Sequence, residues 1–242
     1  MRLATWNCCR GAYVKKAALL DALGADVAVL QECAKPQAES ESLLWFGDNP
    51  RQGLAVVARG DYKLRRVRRA RSVPKYVVPV EVTGPRSFLL FAVWTKTDQE
   101  HCYVEAAVRA VFLYRKLIAA GPTVFMGDVN SNVIWDHQHE PDRSHTALVN
   151  QLSDLGLVSA YHAFFDEPHG KETRPTYYFH WKEHKPFHLD YCFVPKAWLP
   201  ALKKVWVEPF HSWKAHSDHR PLLVEFDRAA SIPTGSREAT RP

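Results

Sequence analysis

The segment His216-Ser217-Asp218-His219-Arg220-Pro221-Leu222-Leu223-Val224-Glu225-Phe226 sets an acid and an imidazole side by side at the mouth of an apolar run. The run reads as a core strand, and polar groups at its mouth stand where chemistry is commonly mounted. The arrangement recurs upstream. Asn7 follows Leu3-Ala4-Thr5-Trp6, Glu32 follows Val27-Ala28-Val29-Leu30, Asp128 and Asn130 follow Thr123-Val124-Phe125-Met126, and His188 and Asp190 flank Leu189. One polar group at a strand end means little, but five such ends point to one shared site.

The chain has 242 residues, enough for one large domain with a well-buried core. No Gly/Ser/Pro-rich linker divides its middle, and cutting it there would divide the site, so residues 1–228 read as a single catalytic domain. Residues 229–242 read as a flexible tail. A hydrophobic content of 46% with 24% charged residues excludes bulk disorder. A strand pattern directly after Met1-Arg2 leaves no room for a signal peptide, and no apolar stretch approaches the roughly 20 residues of a membrane span. A soluble, cytoplasmic protein without a membrane or an evident protein partner is expected. The five cysteines lack Cys-x-x-Cys spacing and read as reduced thiols rather than a zinc or disulfide framework.

The net charge is +6, which favours an anionic partner, nucleic acid being the commonest. Six cations fall in the nine residues from Lys63 to Arg71. They read either as a charged edge strand protected from aggregation or as a phosphate-contacting face built on Arg65, Arg66 and Arg68.

Short apolar runs recur near residues 2–6, 27–31, 53–58, 62–69, 76–82, 87–94, 122–126, 176–181, 188–194, 203–209 and 221–226. Helical periodicity covers Tyr13–Leu23, through Tyr13, Ala17, Leu20 and Leu23, and residues 104–119, through Val104, Ala107, Val108, Val111, Phe112, Leu117 and Ile118. Residues 143–155 form a third amphipathic stretch, and Gly121-Pro122 closes the second helix. Consecutive strands between 53 and 94 without a helix argue against a simple alternating doubly wound sheet and for two sheets packed together and flanked by helices.

The residue types suit phosphoester hydrolysis. Hard cations such as Mg²⁺ take oxygen ligands, often one or two carboxylates completed by water and substrate phosphate. Glu32, at the margin of a buried strand, is costly to place there without a cation or a hydrogen-bonding network. Asp128 and Asn130 combine a carboxylate able to orient or deprotonate water with an amide able to donate to phosphate, although Gly-Asp-x-Asn is equally good turn chemistry. His219 needs an orienting acid, and Asp190 is the best available partner, which frees Asp218 to face a metal. His137, His139, His169 and His184 read as residues of surface turns.

Taken together, Thr5-Trp6-Asn7, Leu30-Gln31-Glu32, Gly127-Asp128-Val129-Asn130, His188-Leu189-Asp190-Tyr191 and Ser217-Asp218-His219 resemble, in order and spacing, the endonuclease/exonuclease/phosphatase superfamily, which includes DNase I, exonuclease III, abasic-site endonucleases, sphingomyelinases and inositol polyphosphate 5-phosphatases. The resemblance spans nearly the whole chain. It implies an α/β fold, a four-layer α/β/β/α sandwich of two mixed sheets flanked by helices, and Mg²⁺- or Mn²⁺-dependent hydrolysis of a phosphoester. It implies further that Glu32 holds the metal with Asn7 and Asp218, that Asp128 acts on the attacking water or leaving group, that Asn130 binds phosphate, and that His219, oriented by Asp190, contacts phosphate or acts as acid and base. Two positions depart from the pattern. Cys9 stands where abasic-site and exonuclease III enzymes often carry an acid or amide. Trp94 stands where relatives often place an imidazole or tyrosine, and reads as core or as a stacking surface for a base.

Basic charge and the resemblance make a DNA nuclease the leading expectation, with Trp94, Tyr177 and Trp213 joining the arginines as substrate-contacting residues. A phosphatase or phosphodiesterase for a small phosphorylated molecule or lipid head group shares the same core. A catalytically silent nucleic-acid-binding module would have no need for Glu32, Asp128, Asn130, Asp190, Asp218 and His219 together.

Overall fold

The computed structural model describes residues 1–69, 72–97 and 102–227; the expected tail at 229–242 lies outside the described residues. The strands are β1 (Arg2–Asn7), β2 (Val27–Cys33), β3 (Leu43–Asn49), β4 (Gln52–Ala58), β5 (Lys63–Arg66), β6 (Val77–Thr83) and β7 (Phe88–Trp94), followed by β8 (Thr123–Asp128), β9 (Leu157–Ser159), β10 (Tyr177–Tyr178), β11 (Pro186–Phe187), β12 (Asp190–Pro195), β13 (Leu202–Val207) and β14 (Leu222–Phe226). The helices are α1 (Tyr13–Leu23), α2 (Tyr103–Ala119), α3 (His145–Asp154), α4 (Ala160–Phe165) and α5 (Phe210–Trp213).

Two six-stranded sheets result, ordered β13-β14-β1-β2-β4-β3 and β5-β6-β7-β8-β12-β9. Each has one parallel pair at its centre: β1 with β2 across α1, and β7 with β8 across α2. The other pairs within both sheets are antiparallel. Side chains alternate across each strand, so every central strand supplies two cores. Leu3, Val27, Val29, Val78, Leu90, Val124, Cys192 and Val224 fill the space between the sheets. Phe91, Phe125, Tyr191 and Phe193 point outward under α2 and α3, while Trp6, Leu30 and Leu223 point outward under α1 and Trp213 of α5. The fold is therefore an α/β sandwich of two mixed sheets flanked by helices.

Local chemistry accounts for the element ends. Gly24, in the left-handed region at φ 61°, closes α1, and the Ser144 side chain accepts from Ala147 N at the start of α3. Several sequence expectations shift. The strand expected over 62–69 is hydrogen-bonded only from Lys63 to Arg66, and that over 176–181 only at Tyr177–Tyr178, because His180 and Trp181 take positive φ. Phe112, expected on the buried stripe of α2, is exposed and lies beneath the Arg115 guanidinium. The strand β3 has no apolar signal in its polar second half and was missed. All five cysteines are free thiols. Among the described residues no helix is long and apolar enough to cross a membrane.

Gly127 has a strict backbone requirement. It lies opposite Val93 in the parallel β7–β8 ladder with φ 152°, and a Cβ there would stand 1.9 Å from the Val93 carbonyl oxygen. The close approach sets Asp128, the next residue, at the head of the sheet. Gly127→Ala is expected to lower unfolding free energy by at least about 3 kcal/mol, by strain and backbone collision together. An unchanged urea midpoint would contradict this.

Candidate active site

The polar residues converge between the two sheets, at the ends where the parallel strands finish. Alternation along β1 sends Leu3 and Asn7 inward, and alternation along β8 does the same for Val124, Met126 and Asp128. Glu32 arrives differently. Ala28 and Leu30 face outward, and continued alternation would carry Glu32 with them. Instead Glu32 adopts φ 62°, and the pairing with β4 shifts register between Leu30 and Cys33. This bulge turns the carboxylate back toward Asn7.

A hydrogen-bonded chain then crosses the site. Asn7 Nδ2 donates to Asp128 Oδ2 at 2.9 Å and to Glu32 Oε1 at 3.2 Å, while Gln52 Nε2 donates to Glu32 Oε2 at 2.9 Å. Asp128 Oδ1 accepts from Asn130 N at 2.8 Å, and its Oδ2 accepts also from Asn130 Nδ2 at 2.9 Å. Asn130 holds this pose at φ 49° and gives its other amide hydrogen to the Thr95 carbonyl at 3.1 Å. His219 Nδ1 meets Asp190 Oδ2 at 2.8 Å, and its Nε2 lies 4.0 Å from Asp128 Oδ2. Asp190 and Asp128 are themselves opposite each other in the β12–β8 ladder, and both are wholly buried.

Burial and charge set the protonation states. Burial pushes the Asp128 carboxyl upward, opposed by the His219 imidazole and reinforced by Asp190. Burial alone would depress His219, but Asp190 and then Asp128 outweigh it and hold the imidazole protonated through neutral pH. Tyr177 covers this pair, its ring 4.6 Å from that of His219, and burial together with Asp218 and Asp128 pushes its hydroxyl up to about 12, so it remains a phenol.

Several further residues support the site: Gln31 and Ser217 fall inside the sequence motifs without an assigned role, whereas Thr176 carries no sequence signal. Thr176 Oγ1 accepts from Leu189 N at 2.9 Å and from Asp190 N at 3.0 Å, pinning the backbone that presents Asp190. Ser217 Oγ donates to the Asn7 carbonyl at 2.7 Å and accepts from His219 N at 2.9 Å, tying the first motif to the last. Gln31 Nε2 reaches Thr5 Oγ1 and the Val93 carbonyl, joining the two sheets beneath the site. Arg220 is fully buried, donates to the Ser217 and His219 carbonyls, and lies between Tyr178 and Phe210.

The remaining residues expected at the site divide. Asp218 and Glu32 are half-buried and flank Cys9, whose thiol is raised to about 11 by burial and then by those two carboxylates. Asn7 Oδ1, the atom of that residue able to ligate a hard cation, accepts from Cys9 N at 3.0 Å. Trp94 is a correction: it is 2% exposed, belongs to the inter-sheet core and is covered by Tyr76 and Lys96, so its faces are closed to a base. Trp213 is corrected likewise, being buried edge-on against Trp6 with its indole N–H on Glu208. Arg65 pairs with Glu81, and Arg66 with Glu39 and the Phe46 ring, on the edge strand β5; Arg68 is exposed just beyond it. The cationic run thus serves first as a paired sheet edge.

Exposed aromatic and cationic groups neighbour the site residues along the chain. Phe179 and Trp181 are 41% and 48% exposed on the turn that directly follows Tyr177. Lys182 and Lys185 are exposed beside them, as are Arg10 after β1, Lys35 after β2 and Arg51 next to Gln52.

Comparison with solved structures locates this architecture. A 3'-5' exonuclease (NExo) from Neisseria meningitidis superposes with a TM-score of 0.69 at 20% identity, over 94% of this chain and 100% of that one. This chain shares the fold of that enzyme. A structure of the 3' phosphatase NExo from Neisseria bound to a product DNA hairpin matches the fold of this chain at TM-score 0.67 and 18% identity, covering 94% and 99%. An AP endonuclease from Archaeoglobus fulgidus does so at 0.65 and 15%, covering 94% and 99%. No protein-family model and no curated protein matches the chain. At these identities the likeness establishes the fold.

Proposed function

We propose that the chain is a divalent-metal-dependent phosphodiester hydrolase acting on DNA. The observation that carries this reading is the continuous polar chain Glu32–Asn7–Asp128, facing the protonated His219–Asp190 pair across a 4.0 Å gap. The carboxylates Glu32 and Asp218, both of which act electrostatically on Cys9, are oxygen donors of the kind Mg²⁺ or Mn²⁺ takes. Such a cation would neutralise charge on a phosphate oxygen.

The chain's own residues supply the rest. His219 Nε2–H, held as a cation by Asp190, donates to a non-bridging phosphate oxygen and stabilises the charge that builds there. Asp128 takes a proton from the attacking water; an O–P bond forms, the ester P–O bond breaks, and the departing oxygen is protonated from solvent. Asn7 and Asn130 hold Asp128 in place, and both amide hydrogens of Asn130 are committed to that task in this arrangement.

DNA is favoured as substrate by the net charge of +6 and by the exposed cations and the two exposed aromatics that neighbour the site residues along the chain. The assay is Mg²⁺-dependent turnover on plasmid, abasic duplex, single-stranded DNA, RNA and a small phosphoester. A polymeric DNA substrate is expected to be preferred, with log affinity falling about 0.9 per phosphate contacted for each log unit of salt. Preference for the small phosphoester with a flat salt response would refute the DNA reading. A second reading, removal of a terminal phosphate from DNA, is favoured by the neighbour described as a 3' phosphatase and is separated in the same panel by free-phosphate release.

Phe179→Ala together with Trp181→Ala is expected to raise KM for an oligonucleotide about 10-fold or more while leaving kcat nearly unchanged, since stacking contributes about 1–3 kcal/mol per base. Steady-state kinetics at fixed salt checks this, and an unaltered KM would remove these rings from the interface.

A further inference from the structure

Behind the catalytic face lies a second polar cluster of different composition. The helix α4 presents His162, and the loop after it turns back through Asp166 at φ 53° and Gly170 at φ 85° to present His169 and Glu172. His162 Nε2 lies 3.1 Å from Glu172 Oε1, and its Nδ1 lies 2.7 Å from Ser159 Oγ, which fixes the ring. The His169 ring stacks on His162 at 3.5 Å. One donor atom from each of His162, His169 and Glu172 lies within 4.8 Å of the other two. The surface-turn reading of His169 is thereby corrected.

Two more histidines close around this trio. His145 of α3 has its ring 5.7 Å from that of His169, and His188, just before β12, has its ring 6.1 Å from that of His162. His145 is wholly buried, yet neither of its ring nitrogens has a hydrogen-bond partner; His188 Nε2 and His169 Nδ1 lack one as well. Four unpartnered imidazole nitrogens gathered beside one carboxylate are costly, since each buried polar group left unsatisfied costs about 1–3 kcal/mol. A network evolved only for packing would pair them.

We propose that His162, His169 and Glu172 form a transition-metal site for Zn²⁺, with the rings of His145 and His188 packed around it. Two imidazoles and a carboxylate are the donors of a borderline cation, whereas the catalytic face gathers mainly oxygen donors around the single imidazole of His219, whose Nδ1 is taken by Asp190. The two sites are kept apart by the pleat of β12: Asp190 faces the catalytic side and Tyr191 the histidine side. They are coupled through backbone. Glu172 Oε1 also accepts from Asn132 Nδ2, which lies 3.1 Å from both the His188 carbonyl and Tyr191 Oη, and the same loop ends at Thr176, which pins Asp190. The metal would fasten α4 and residues 166–176 to the back of β12 and so fix the catalytic wall.

The test uses the full chain stripped by chelator and the variant Glu32→Gln, in which the proposed catalytic cation site is disabled. Zn²⁺ is expected to bind at one ion per chain in both, measured by elemental analysis after gel filtration, and to raise Tm. Adding His169→Ala or Glu172→Gln should weaken Zn²⁺ binding by more than about 100-fold, because even outer-shell partners of a metal site are worth 10- to 100-fold. Co²⁺ added to Glu32→Gln should give visible d–d bands of a nitrogen-containing, non-octahedral site that survive His219→Gln, the substitution that removes the imidazole of the catalytic face, a readout that holds even where His169→Ala fails to fold. Absence of Zn²⁺ binding and of these bands in Glu32→Gln, or undiminished binding in folded His169→Ala and Glu172→Gln, would overturn the proposal. Neither outcome depends on nuclease activity, so it stands or falls separately from the catalytic reading.

Discussion

Asp128→Asn is expected to reduce kcat by about 10³-fold or more, because on the proposed mechanism it removes the carboxylate that would accept the proton of the attacking water while leaving binding groups in place. The geometry makes the loss specific. Asp128 Oδ2 is the acceptor for two amides, Asn7 and Asn130, and faces His219 Nε2 across 4.0 Å, so the side chain is aimed from three sides. Stability should move much less, since two effects oppose. Substitution relieves the desolvation that raises this carboxyl, yet it also sets an amide N–H against donors that now find a single oxygen. Each is worth about 1–3 kcal/mol. Single-turnover cleavage with Mg²⁺, alongside near-UV circular dichroism to verify the fold, measures both. Wild-type turnover in folded Asp128→Asn would remove Asp128 from the chemistry.

Asp190→Asn should cost nearly as much at neutral pH, about 10²- to 10⁴-fold, and should do so by changing a pH profile. In the native site His219 is raised to about 9, so burial is outweighed by Asp190 and Asp128 and the imidazolium persists through pH 8. Activity that needs this cation falls as pH rises through about 9. Without the Asp190 charge, burial drives the imidazole downward, and the alkaline limb should retreat to neutral pH or below. A merely structural Asp190 would lower activity without moving the limb. The same linkage reaches stability. A histidine whose folded pKa exceeds its unfolded value contributes stability that is complete below about 6.5, the ordinary histidine value, and is lost as pH rises through the folded value of about 9. Urea denaturation between pH 6 and 10 should therefore show a smaller decline in Asp190→Asn than in the native chain.

Where side chains follow strand alternation, the sequence was a good guide. Asn7, Asp128 and Asp190 sit at ends of apolar runs and face inward as the period of two requires, and the order of the runs announced two sheets rather than one. Where local backbone departs from the period, it failed. Glu32 reaches the site only through a bulge at positive φ, and the aromatic run at Tyr177–Trp181 ends as a strand after two residues because its backbone turns left-handed. Trp94 could be read as a stacking surface or as core, and periodicity does not distinguish an inward face that meets solvent from one covered by the opposite sheet.

The sequence by itself determined which chemistry is available: oxygen donors, one imidazole with an acid partner, and a basic balance suited to a polyanion. These follow from residue type and from short-range spacing, which the chain carries locally. Tertiary structure alone decided which groups meet. The bonds from Asn7 to Asp128, from Ser217 to Asn7, and from His219 to Asp190 join residues 121, 210 and 29 positions apart. The gathering of His145, His162, His169 and His188 behind β12 depends likewise on a helix, a loop and two sheet neighbours arriving together. Such contacts arise from the packing of two twisted sheets, and no periodicity along the chain encodes a distance between elements that touch only once the core has closed.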